Sequence, residues 1–154
     1  MAKTTTNPPS HRWHFYRAGG VDQVRIDSGA DILNLDQLDQ RLWVALSCPT
    51  EGVELDERTL KVLDQDGDGY VRPSEILAVV KWLREGILKP DALLEGRDGV
   101  PLENIRTDTA EGRKVLAAAE HILNTHGVKS VNITTDDALQ AIETLIHATH
   151  NGDG

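Results

Sequence analysis

Sulfur is nearly absent from this chain, which has one cysteine and one methionine in 154 residues. With Cys48 alone no internal disulfide can form, which fits a reducing compartment and makes the cytoplasm the expected location. No neighbouring pattern activates the thiol, so Cys48 beside Pro49 reads as a small buried or helix-end residue rather than a nucleophile. With Met1 as the sole methionine, the adaptable methionine-rich groove of promiscuous binders is also missing. Basic charge is in deficit: 16 Lys and Arg against 25 Asp and Glu leave a formal net charge of −9. A polyanion asks for the opposite sign, which argues against nucleic acid and anionic membrane surfaces as partners. No apolar run approaches the roughly 18 residues of a membrane helix. No apolar stretch follows Lys3, so the start does not read as a signal peptide, and residues 1–10 read as a disordered lead-in. Aromatics number only six, and three of them, Trp13, Phe15 and Tyr16, fall in one short stretch. Such a cluster should anchor a core or a partner surface, and packing onto the domain is the simpler expectation.

What the chain does have is one stretch that states its chemistry, Asp64-Gln65-Asp66-Gly67-Asp68-Gly69-Tyr70-Val71-Arg72-Pro73-Ser74-Glu75. Carboxylates stand at positions 1, 3 and 5, glycine at 6 and glutamate at 12. Three aspartates at alternate positions converge on one centre as the chain turns, and Gly69 takes the bend that a side chain would resist. Tyr70 offers its backbone carbonyl. Glu75, on the first turn of the next helix, can present both oxygens, which suits calcium better than octahedral magnesium. The flanks agree. Ile76, Val79, Val80 and Leu83 recur at helical spacing, with Pro73 at the helix start. Leu60 and Leu63 share a face of a short helix that Asp56 can cap.

Loop and flanks together resemble the EF-hand calcium-binding family over about 30 residues. The resemblance implies one calcium ion held by Asp64, Asp66, Asp68, the Tyr70 carbonyl and Glu75. It also implies that Val71, at position 8, pairs with a second loop as a two-residue sheet. The bland alternative is an acidic turn that binds nothing. Against it, like charges a few ångströms apart cost on the order of a few kcal/mol per pair near a protein surface. One residue departs from the pattern: Arg72, at position 9, cannot coordinate, so either it points outward or the usual bridging water is held by something else. That moves the expected affinity out of the tightest buffer range.

The rest of the chain reads as mostly α with minimal β between loops, one domain over 11–150 with the hand at 56–87. Val21, Val24 and Ile26 look strand-like after the Gly19-Gly20 break. Asn34 is expected to cap a helix with Leu35, Leu38, Leu42, Ala45 and Leu46 inward and Gln37 in a capping box. Residues 88–107 read as loop with short turns. A helix is predicted from Asp108 to Thr125 with Val115, Leu116, Ala119, Ile122 and Leu123 inward, ended by Gly127. A last one, capped at Thr134 with Asp137 three residues on, carries Ala138, Leu139, Ile142, Leu145 and Ile146.

These two helices flank a connector of loop length. With Ile133 aligned to Val71, Asp137 falls at position 12, while His126, Val128 and Ser130 stand at ligand positions and cannot make a calcium site. Residues 108–149 are therefore either a second hand that lost its ion or an ordinary helical hairpin packed on the first. The tail, residues 151–154, is either a frayed end or the start of a further loop. From Arg17 to Trp43 the chain also resembles the N-terminal region of larger, uncharacterised bacterial proteins with a single clear EF-hand. No zinc set is expected, because His121 and His126 are five apart, His147 and His150 are only a pair, and there are no cysteine pairs. No phosphate loop or catalytic constellation is present. The expected function is calcium binding in a non-enzymatic module, with the ion structural rather than signalling. The alternative is a calcium-responsive regulatory or protein-interaction domain of a larger protein.

Overall fold

The computed structural model describes residues 11–43, 45–125, 127 and 129–150, the last eight of these by their backbone only. The expected lead-in at 1–10, His126 and Val128 of the second connector, and the tail at 151–154 lie outside the described residues. Two compact units divide the chain, Met1–Val80 and Lys81–Gly154.

The first unit opens with an antiparallel hairpin, β1 (His14–Ala18) and β2 (Val21–Arg25). Its tight turn is Gly19-Gly20, both at positive φ (57° and 83°), as a two-residue turn matched to strand twist requires. A short helix, α1 (Gly29–Leu33), follows where no helix was expected to begin. Ser28 and Asp31 form a reciprocal capping box there, and Asn34 ends the helix instead of starting one. The expected helix from Asn34 is thus overturned. The chain instead passes through 3-10 turns at Leu35–Gln37 and Gln40–Leu42. Asn34 donates from both its backbone and side-chain nitrogens to the Ala30 carbonyl, at 3.1 and 2.8 Å, and Asp39 accepts from the Arg41 N–H at 3.0 Å. Short polar side chains here give the backbone partners outside an α-helix.

The strand β3 (Cys48–Pro49) leads to α2 (Glu57–Leu63), whose N-cap is Asp56, as the sequence predicts. After the acidic loop come β4 (Tyr70–Val71) and α3 (Pro73–Gly86). Among the described residues of this unit, Leu38, Leu60, Val71 and Val80 are the buried apolar side chains. The aromatic cluster is not among them, since Phe15 and Tyr16 remain 50% and 44% exposed. They do not anchor the core.

In the second unit β5 (Gly99–Pro101) pairs with β6 (Asn132–Thr134), and these precede α4 (Ala110–Thr125) and α5 (Thr135–His150) respectively. Buried Asn104 accepts from the Lys89 N–H at 2.6 Å and donates to the Lys89 carbonyl at 3.1 Å, which ties the 88–107 region together. Ile87, Ile105, Ala119 and Leu123 are buried here.

The expectation of a mostly α fold with minimal β is corrected. Among the described residues, three two-stranded antiparallel sheets stand beside five α-helices, a mixed helix-and-sheet architecture. Sequence periodicity underweights strands of two or three residues, because they are too short to show an alternation. Among the described residues no helix is long and apolar enough to cross a membrane.

Candidate metal centre

The acidic loop is built by backbone N–H groups that gather its carboxylates. Asp64 Oδ1 accepts from the Gly67 and Asp68 N–H groups at 2.9 and 3.2 Å, and its Oδ2 from the Gly69 N–H at 2.9 Å. Asp66 Oδ1 accepts from Asp68 N–H at 3.2 Å, and Asp68 Oδ1 from Tyr70 N–H at 3.0 Å. Such a coil needs left-handed backbone at its glycines, and Gly67 and Gly69 sit at φ 71° and 84°. Glu75 closes the loop from the first turn of α3. Its Oε1 accepts from the Gln65 N–H at 2.7 Å and its Oε2 from the Arg72 N–H at 2.8 Å. Only 7% of Glu75 is exposed, so its carboxylate is fixed where a freely solvated one would wander.

One carboxylate oxygen from each of Asp64, Asp66 and Asp68 lies within 4.8 Å of the other two. Oxygens bound to one calcium at about 2.3–2.6 Å can be at most about 5 Å apart, so this spacing fits a shared ion. The donor set fits as well, being all oxygen. The Tyr70 carbonyl is available for the same purpose. In the β3–β4 register Cys48 faces Val71 and Pro49 faces Tyr70, while the Thr50 N–H donates to the Gly69 carbonyl at 3.0 Å. Ladder alternation then makes Pro49 and Tyr70 a non-hydrogen-bonded pair. Pro49 needs no N–H there, and the Tyr70 carbonyl is turned away from β3. No family model matches this chain, and no curated protein or solved structure is significantly similar to it.

All five sequence-derived site residues therefore belong to one loop, with Asp64, Asp66 and Asp68 converging and Glu75 bound to the loop's own N–H groups. Two neighbours add what the sequence left open or misplaced. The Arg72 side chain stays partly exposed, with its guanidinium paired with Asp68 and 5.6 Å from the centre of the Tyr70 ring. The Asp68 hydrogen bond, aided by the charges of Asp66 and Glu75, raises the already high pKa of Arg72. The loop thus carries a cation of its own.

The strand partner also differs. Val71 does pair as a two-residue strand, but with Cys48, whereas Ile133 pairs with Val100 in the second unit. The implied pairing of the two loops through Val71 and Ile133 is overturned. Thr50, only 5% exposed, anchors that partner strand through two bonds to the Gly69 carbonyl, from its N–H and from Oγ1 at 3.3 Å. Nothing in the sequence singles it out, because a Pro-Thr step after a cysteine carries no metal or strand signature.

Proposed function

We propose that this chain binds one calcium ion in the loop 64–75 and is a member of the EF-hand class. Asp64, Asp66 and Asp68 would each give a carboxylate oxygen, Tyr70 its carbonyl, and Glu75 both oxygens. The bound ion would supply the positive charge that offsets four crowded carboxylates. The observation that carries this reading is the convergence of three aspartate oxygens within 4.8 Å, at loop positions 1, 3 and 5. The reading is of a non-enzymatic, cytoplasmic module in which the ion is a structural fixture rather than a signal. Asp64, Asp68 and Glu75 are already bonded to loop N–H groups, so ion binding would need little rearrangement. A pre-shaped loop has little conformational change to transmit.

Calorimetric titration with calcium tests this directly, comparing the parent with Glu75→Gln and Asp137→Asn. The parent should bind one calcium, and Asp137→Asn should bind it equally well. Glu75→Gln should weaken binding at least by the roughly 10–100-fold that loss of even an outer-shell partner costs. A parent that takes up no calcium, or a Glu75→Gln variant that binds unchanged, would refute the reading.

A further inference from the structure

Of the ligands assigned to the loop, Tyr70 alone offers a backbone oxygen, so its aim is set by the backbone rather than by a rotamer. The peptide unit that precedes it, from Gly69 to Tyr70, is held on both edges. Its N–H, on Tyr70, donates to Asp68 Oδ1 at 3.0 Å. Its carbonyl, on Gly69, accepts twice from Thr50, from the N–H at 3.0 Å and from Oγ1 at 3.3 Å. A peptide unit is planar, so gripping its oxygen also fixes the direction of its N–H. Thr50 therefore acts on the loop from 19 positions earlier, through one rigid plane whose far edge meets the Asp68 carboxylate. A carbonyl oxygen has two lone pairs, and Thr50 supplies a donor for each. That oxygen is committed toward β3 and does not turn inward to an ion, which leaves the Tyr70 carbonyl as the backbone ligand. Thr50 is 5% exposed. With water largely excluded its hydroxyl has to bond within the protein, and the bond it makes is to the loop.

We propose that Thr50 is a positioning residue for the calcium site: by gripping the Gly69 carbonyl it fixes the peptide that aims Tyr70 at the ion and holds Asp68 beside it. This role rests on the reading of the loop 64–75 as a calcium site. It also gives the strand β3 a purpose. Cys48, Pro49 and Thr50 brace the loop from within its own unit, where a paired hand would brace it from a second loop. The hydroxyl is the lesser of the two grips, because 3.3 Å is long for an O–H···O bond. Its loss should weaken calcium binding without abolishing it.

Calorimetric calcium titration of the full chain tests this role, with urea unfolding in EDTA as a separate measure of stability. Thr50→Val keeps the shape of the side chain and removes its hydroxyl. It should bind calcium about three- to tenfold more weakly than the parent, short of the roughly 10–100-fold that follows loss of a partner bonded directly to a ligand. Thr50→Ser and Thr50→Ala lack the same methyl group and differ by the hydroxyl alone, so they give the comparison even where valine disturbs the packing. The serine variant should bind nearly as the parent does, and the alanine variant as weakly as the valine one. A purely structural hydroxyl would lower stability in EDTA and leave the calcium affinity of the folded chain as it was. Equal affinity in the serine and alanine variants would therefore overturn the proposal while leaving the calcium reading intact. A parent that takes up no calcium would refute that reading itself, and the role of Thr50 with it.

Discussion

Two segments of this chain follow the same plan and differ in what they do with one carboxylate. In each, a helix leads through a loop into a short strand and a second helix: α2, β4 and α3 in the first, α4, β6 and α5 in the second. In each, the short strand pairs antiparallel with a strand that precedes the first helix, β3 or β5. In each, an acid on the first turn of the closing helix accepts from the N–H three residues before it. Asp137 Oδ2 takes the Thr134 N–H at 2.9 Å and the Thr134 hydroxyl at 2.6 Å, and Thr134 Oγ1 accepts from the Asp137 N–H at 3.1 Å. That is a capping box, complete in itself. Glu75 makes the same backward bond to Arg72 but, one methylene longer, also reaches the Gln65 N–H ten residues earlier. The lesson is chemical. A carboxylate absorbed by a threonine cap organises a helix start, whereas one spread between a helix start and a loop ties the two ends of that loop together.

The largest effect that separates the two segments comes from their cores. Leu60, 7% exposed on α2, and Leu123, 4% exposed on α4, are buried at comparable places in the two halves. Truncating either to alanine should cost about 2–5 kcal/mol. Calcium should restore only the first. A ligand at about 100 times its dissociation constant stabilises the folded state by about 2.7 kcal/mol. Thermal melts of Leu60→Ala and Leu123→Ala, with calcium and with chelator, read the difference. Equal calcium-induced shifts in both variants would mean that the two units melt as one, and no shift in either would mean that the loop 64–75 takes up no calcium.

A smaller separation should come from the glycines. Gly69 and Gly127 both hold positive φ, 84° and 66°, with open space where a Cβ would stand. Alanine at either position should therefore cost only backbone strain, about 1–2 kcal/mol. Gly69 also donates its N–H to Asp64 and its carbonyl accepts from Thr50. Its alanine variant should lose calcium affinity as well as stability, and Gly127→Ala should lose stability alone. Chemical denaturation paired with calcium titration separates the two outcomes. A Gly69→Ala chain that binds calcium as tightly as the parent would show that the loop tolerates a different turn.

How far the sequence could be read follows from the length of each signal. The two helices that flank the acidic loop were legible because Leu60 and Leu63 share a face of α2 and Ile76, Val79, Val80 and Leu83 repeat at helical spacing through α3. Asp56 and the Thr134–Asp137 pair were legible because a cap is a local, pairwise bond. The sheets were legible only in part: a strand after Gly19-Gly20 and one at Val71 were expected, but their partners were not, since β3 and β4 are two residues each and Cys48 stands 23 positions before Val71 with no motif to announce the pairing. The helix expected from Asn34 failed for a related reason. Ser28 and Asp31 offered an equally good box six residues earlier, and nothing in the apolar pattern ranks one start above the other. The exposed aromatics failed because composition suggests burial without naming what buries them.

The finest separation concerns the cation that the first loop already carries. Arg72 pairs with Asp68 while both side chains stay about two-fifths exposed, at 40% and 39%. An exposed ion pair is worth no more than about 1 kcal/mol, because water and salt screen it and two long side chains must be held. A calcium ion at the centre of the loop would compete with that guanidinium for the same carboxylate, and would be repelled by its charge. Removing the arginine should therefore tighten calcium binding, by about fivefold or less if the whole pair energy is recovered. Arg72→Ala should show this in a calcium titration at low salt, and the gain should shrink as salt rises, because screening weakens the competitor as well. Arg72→Lys should fall between alanine and the parent, keeping the charge but losing the planar fork. Weaker binding in Arg72→Ala would reverse the assignment. It would make the guanidinium a brace that holds Asp68 in place for the ion, rather than a rival to it.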